Sequence, residues 1–271
     1  MLNPEINNRN MTNLLSQMRD SKTRRSFFPL LTAILALLSI TSCYKDHSLD
    51  FTKSWGDEKT ETRAVTGNFT RIRLENDIDL SITPGNNYSV TITGGENILP
   101  GIITEIIDST LIIRNENKYN WVRSYDKKLL AEVALPHLFQ LYYESTGTVT
   151  CTDTIREDSL FIDSHGGSGY INMLINTGLA HMSIHRGSAD IKAIGYCGSN
   201  FIYSASYGVF HCEDLETINT YMHSKGTGNC YIRVLGTLEY QLDGKGNIYY
   251  WGRPVNISGT DNGIGNLIPM Q

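Results

Sequence analysis

Gly147-Thr148-Val149-Thr150-Cys151, Gly169-Tyr170-Ile171-Asn172-Met173 and Ala189-Asp190-Ile191-Lys192-Ala193 are one phrase written three times. It continues as Gly208-Val209-Phe210-His211-Cys212, Gly228-Asn229-Cys230-Tyr231-Ile232 and Gly246-Asn247-Ile248-Tyr249-Tyr250, and closes on Gly265-Asn266-Leu267. Successive small residues are 22, 20, 19, 20, 18 and 19 positions apart. An internal period in this range marks a solenoid. Two positions after the small residue stand Val149, Ile171, Ile191, Phe210, Cys230, Ile248 and Leu267, all able to be buried. Four positions after it stand Cys151, Met173, Ala193, Cys212, Ile232 and Tyr250. Alternation of this kind makes each phrase a strand with one inward face. Equal offsets then stack as a parallel ladder, with rungs roughly 4.8 Å apart. A coil of twenty residues is too short for a strand plus crossover helix, which needs about thirty. The pattern therefore predicts an all-β, single-stranded parallel β-helix with about twenty residues per rung.

A second strand precedes each phrase: Leu160-Phe161-Ile162-Asp163, His181-Met182-Ser183-Ile184, Phe201-Ile202-Tyr203 and Glu239-Tyr240-Gln241-Leu242. Gly, Ser and Lys runs such as Gly166-Gly167-Ser168 and Gly244-Lys245 lie between the two strands and suit tight corners. Residues 69–135 alternate less regularly, which fits an atypical end that closes the core and covers the strand edge.

The N-terminus reads as an export signal. Arg19, Lys22, Arg24 and Arg25 precede an apolar run from Phe27 to Ile40, too short to span a bilayer. It ends Ile40-Thr41-Ser42-Cys43, which resembles the bacterial lipobox. That resemblance implies cleavage before Cys43 and lipid attachment to it. The expected organisation is a signal peptide over 1–42, a lipidated Cys43 with a polar flexible tether to residue 66, and a β-helix head over 67–271. Removing residues 1–42 takes five basic and two acidic residues from totals of 23 and 28, leaving 18 against 26, a net charge of −8. No basic stripe survives, so a nucleic-acid partner is not expected.

Cys151, Cys197, Cys212 and Cys230 remain in an exported chain that could oxidise them. Cys151 and Cys212 share an offset but sit three rungs apart. Cys212 and Cys230 are on neighbouring rungs but two residues out of step, near 8 Å between Cα atoms and beyond the disulfide limit of about 7 Å. They read as small buried apolar residues, with a disulfide left as the alternative.

The entry strand Phe69-Thr70-Arg71-Ile72-Arg73-Leu74, then Ile78-Asp79-Leu80-Ser81-Ile82, Leu135-Pro136-His137-Leu138 and the serial Gly phrases form an ordered set. It closes on Ile248-Tyr249-Tyr250-Trp251-Gly252-Arg253-Pro254 and Gly263-Ile264-Gly265. The set resembles the head GIN domain family, labelled auto-transporter adhesins and found on bacterial lipoproteins, over about residues 65–271. The resemblance implies a right-handed coil, in agreement with the crossover preference. It carries no catalytic residues onto this chain.

Asp163 and Asp243 fall at different offsets and four rungs apart, Asp190 faces Asn or Tyr, and Glu213-Asp214 reads as a solvated turn. The paired acids of a glycan-cleaving enzyme therefore have no visible basis. His181 and His185 have helical metal spacing, but on a strand they are about 13 Å apart. No calcium loop or phosphate loop stands out, so no metal or cofactor is expected. Two outward ladders remain: Asn229, Asn247 and Asn266, read as an amide ladder that stabilises the stack, and Tyr231 with Tyr249, a possible ligand face. The expected function is a non-catalytic, adhesin-like binding or surface-interaction module. It is lipid-anchored to the outer membrane of the cell envelope, facing the periplasm or the surface, with a glycan or cell-surface protein as partner. A glycan-active β-helix enzyme and a purely structural envelope protein are the alternatives. Oligomeric state has no signal in the sequence.

Overall fold

The computed structural model describes residues 54–118 and 127–271, all within one compact unit, Asp50–Gln271. Cys43 and the whole export signal lie outside the described residues. Parallel strands stack into a β-solenoid with two ladders that the chain visits alternately.

The first ladder is built by the Gly phrases. It runs through β9 (Val149–Cys151), the start of β11 (Tyr170–Arg186), and the starts of β12 (Asp190–Ser204), β13 (Phe210–Ser224) and β14 (Cys230–Leu242). It ends with β15 (Ile248–Trp251) and β17 (Leu267–Pro269). The expected register is the observed one: Val149, Ile171, Ile191, Phe210, Cys230, Ile248 and Leu267 are consecutive cross-strand partners. All but Leu267 are fully buried. The second ladder holds the strands read before each phrase: β8 (Gln140–Ser145), β10 (Ile155–His165), the later halves of β11 to β14, and β16 (Asn256–Asp261). Its inward residues Leu141, Ile162, Met182, Ile202 and Met222 pair in sequence.

The small residue that opens each phrase has a steric cause. A Cβ on Gly228 would fall far inside van der Waals distance of Gly208 O, and one on Gly246 would meet Gly228 O in the same way. The corner carbonyl of one coil thus occupies the space a side chain would need in the next. One residue later, a side-chain oxygen accepts a backbone N–H from the following coil. Asn229 Oδ1 accepts from Asn247 N at 2.9 Å, Asn247 Oδ1 from Asn266 N at 2.9 Å, and Asp190 Oδ1 from Val209 N at 2.8 Å. The Asn ladder does stabilise the stack, but by carboxamide on backbone rather than amide on amide, because the corner leaves these N–H groups outside the strand ladder.

The N-terminal end is ordered differently in space and in sequence. β2 (Arg71–Asn76) and β3 (Asp79–Pro84) lie between the coil of β6 (Thr110–Asn115) with β7 (Leu130–Leu135) and the coil of β8 with β9. The outer edge is then closed by antiparallel strands: β5 (Ile102–Ile107) on β6, β4 (Ser89–Gly95) on β7, and β1 (Glu58–Arg63) on β4. β1 corrects the expected tether over 43–66, because residues 58–63 belong to the fold. Their sequence, Glu-Lys-Thr-Glu-Thr-Arg, has no apolar alternation. It is held by main-chain pairing as a charged edge strand, a composition that discourages further strand addition.

Tyr143 is a fully buried corner plug. Its hydroxyl donates to Gly147 O and accepts from Gly169 N at 3.1 Å, which ties two coils together. Burial pushes its pKa up to about 12. All four described cysteines are free thiols. The Phe210–Cys230 and Cys212–Ile232 pairings show the two-residue offset that keeps Cys212 and Cys230 unbridged. Burial raises both thiols, Cys230 to about 12.

These groups make stability depend on alkaline pH. Their folded pKa values lie above the unfolded ones, so the unfolded chain releases protons first as pH rises, and stability falls. The contribution is complete below the unfolded thiol value near 8.5 and is lost toward pH 12. Urea melts under reducing conditions should show lower stability at pH 10.5 than at pH 8, with a shallower decline in Cys230→Ala. A flat profile would contradict the burial of these groups.

Candidate functional site

Outward positions of the first ladder bring the two tyrosines of the sequence reading together. Tyr231 and Tyr249 are cross-strand partners with ring centroids 5.0 Å apart and planes 10° from parallel. His211 continues the stack on Tyr231 at 5.4 Å and 7°. Asn247 Nδ2 donates to Tyr249 Oη at 3.1 Å. The same 2.0-residue periodicity that buries Ile232 and Ile248 turns these rings outward. Rings stacked along the coil cover one another's faces, so this ladder offers solvent its edges and hydroxyls.

The second ladder carries a longer outward aromatic column that the sequence reading did not single out. Phe139 and Phe161 pack at 4.9 Å, Phe161 and His181 at 5.8 Å, and Phe201 and Tyr221 at 4.8 Å and 13°. Two residues along the strand, Tyr203 and His223 meet edge to face at 5.7 Å and 74°. Beyond Tyr221 and His223 the column changes to Glu239 and Gln241, then Ser258 and Thr260. Loss of the large rings opens a groove of about 580 Å³, bounded by Phe201, Tyr203, Tyr221, His223 and Tyr240. Its signal was present in the sequence as aromatic residues recurring at one offset of the preceding strand.

The groove has a polar rim. His223 Nε2 donates to Asp243 Oδ2 at 2.8 Å, and Gln241 Nε2 and Asn262 Nδ2 donate to the same carboxylate at 2.8 Å each. Hydrogen bonds from Asn262 and His223 hold the Asp243 carboxyl below its ordinary range. A general acid for glycoside cleavage needs the opposite shift. Asp163 is buried elsewhere on the ladder, hydrogen-bonded by Gln140 and Ser183. His181 and His185 sit at different positions of one strand, as expected. The arrangement sets apolar aromatic rings beside fixed hydrogen-bonding groups.

Stacked parallel strands with outward aromatic columns place the chain in the β-solenoid class of proteins. The chain belongs to the "Putative auto-transporter adhesin, head GIN domain" family, whose pattern matches residues 68–254. The fold is similar to a "putative adhesin" from Bacteroides fragilis, with TM-score 0.72 at 19% identity over 79% of this chain and 97% of that one. A "putative adhesin" from Parabacteroides merdae gives TM-score 0.62 at 18% identity over 80% and 98%. A "Putative lipid binding protein" from Parabacteroides distasonis gives 0.54 at 16% over 80% and 98%. At these identities the likeness speaks for the fold alone. No functionally curated protein matches the chain.

Proposed function

We propose that this protein is a non-catalytic, lipid-anchored module of the outer membrane that binds a cell-surface glycan. The observation that carries the reading is the groove beside the Phe201–Tyr221 stack, lined by aromatic rings together with His223 and Gln241, both of which Asp243 holds by hydrogen bonds. Pyranose rings need that combination: an apolar ring face for packing and fixed donors and acceptors for their hydroxyls. The Tyr231–Tyr249 ladder forms a second contact strip, through ring edges and hydroxyls. Membership of an adhesin family supports binding over turnover.

The test is a glycan array with the mature chain freed of its lipid-bearing Cys43, residues 44–271, followed by titration of the best ligand. Tyr203→Ala/Tyr221→Ala should weaken binding at least tenfold, about 1.4 kcal/mol, with the melting transition retained. Tyr231→Ala/Tyr249→Ala should weaken it by a smaller factor. Equal binding by both double variants and the parent would refute the aromatic surface as the binding site. A protein ligand is the second reading, and retention of a cell-surface protein with no array signal would favour it.

Anchoring rests on Cys43. Expressed in its natural envelope, Cys43→Ala should move from the detergent phase to the aqueous phase, because stable membrane attachment needs more than one acyl chain. Unchanged partitioning would rule out Cys43 as the lipid site.

A further inference from the structure

We propose that Asp163, His165 and His185 bind one divalent transition-metal ion of the zinc class. Read along the strand, the histidines of this region are too far apart to share an ion. Read across the coil, His165 and His185 are one period apart. Their rings stack at 4.2 Å and 14°. One ligand atom from each of the three residues lies within 4.8 Å of the others.

The backbone is irregular beside this encounter. In the β10–β11 ladder Ser164 pairs with Ile184 but His165 pairs with Arg186, so His185 is the extra residue of a β-bulge. The coil period alone sets His185 over His165, and the bulge at His185 interrupts the main-chain pairing beside the two rings.

The electrostatics ask for a cation. Asp163 is buried, and among the described residues its ion-pair neighbour within 4.0 Å is His181 Nδ1, at that limit. That nitrogen is itself buried without a hydrogen-bond partner. A buried carboxylate is costly unless a positive charge balances it. Its orientation is already fixed: Gln140 Nε2 donates to Oδ2 at 2.7 Å and Ser183 Oγ donates to Oδ1 at 2.5 Å, the kind of outer-shell support that ligating carboxylates have.

Two imidazoles and one carboxylate select a borderline transition ion such as Zn²⁺ over Mg²⁺ or Ca²⁺, which take oxygen ligands. Bonds of about 2.0–2.1 Å require the two rings to turn out of their stack so that their lone pairs converge. Both histidines are half-exposed, so the ion keeps an open position for water or for a group on a bound ligand.

The test uses tag-free mature chain, stripped with a chelator and titrated calorimetrically with ZnCl₂. One ion per chain should bind with micromolar affinity. His165→Phe and His185→Phe, which keep a stacked ring, and Asp163→Asn should each weaken binding at least tenfold, while His137→Phe should not. MgCl₂ and CaCl₂ should give no heat. Because a variant could misfold, the parent is tested independently: ZnCl₂ should raise its melting temperature and block carbethoxylation of His165 and His185, mapped by mass spectrometry. Absence of binding by the parent, unchanged affinity in folded His185→Phe, or unprotected histidines at saturating ZnCl₂ would each overturn the site.

Discussion

Gly228→Val should be among the most damaging single changes in the solenoid, costing more than roughly 4 kcal/mol, the range reserved for severe lesions. The reason is the identity of the obstructing atom. A Cβ at this position meets Gly208 O, a main-chain carbonyl of the neighbouring coil, with the carbonyl carbon of Gly208 and Tyr207 O behind it. An overpacked core side chain can turn to another rotamer, and such changes cost about 1–3 kcal/mol. A carbonyl in a corner cannot turn without giving up the adjacent ladder bonds, among them Phe210 N to Asn229 O and Cys230 N to Asn247 O. Gly85→Ala is the matched control, since nothing lies within 4 Å of a Cβ there. It should stay within about 0.5 kcal/mol of the parent. Comparable urea midpoints for the two variants would contradict the packing of the corners.

Ile191→Ala is the second large expected effect, roughly 2–5 kcal/mol. Ile191 is fully buried between Ile171 and Phe210 in the first ladder, so truncation leaves a void between two rungs that the backbone pairing prevents from closing. Lys192, the next residue, lies on the opposite face, and Lys192→Ala should change stability by no more than about 0.5 kcal/mol. A slip of one residue would exchange the two side chains. Denaturant melts with equal losses at 191 and 192 would therefore contradict the register itself.

The register was legible because the phrases repeat in consecutive coils: each small residue marks the corner, the apolar residue two positions on marks the buried site, and the next repeat confirms both. The same logic failed at the N-terminal end. Ile72 and Leu74 alternate as any rung does, yet alternation carries no information on which coils are neighbours, and β2 with β3 is inserted between coils that follow it in sequence. β1 was invisible for a different reason: Glu58–Arg63 is held by backbone pairing to β4, and its side chains show no buried face. At the candidate site the Tyr231–Tyr249 pairing followed directly from shared offset. The groove did not, because it arises where Phe201 and Tyr221 give way to Glu239 and Ser258, a change in side-chain size along a column rather than a motif. The His165–His185 contact follows from the coil period, but it shows only when histidines are compared across neighbouring coils rather than along one strand.

The central claim is that this solenoid holds a cell-surface glycan without altering it. The most direct measurement is to load the mature chain with its best array ligand, wash, elute and determine the mass of the recovered glycan. The account predicts saturable retention at one site per chain and a ligand recovered at its original mass after prolonged incubation. Cleaved, unsaturated or otherwise altered glycan, or no retention of any glycan or cell-surface fraction, would contradict it.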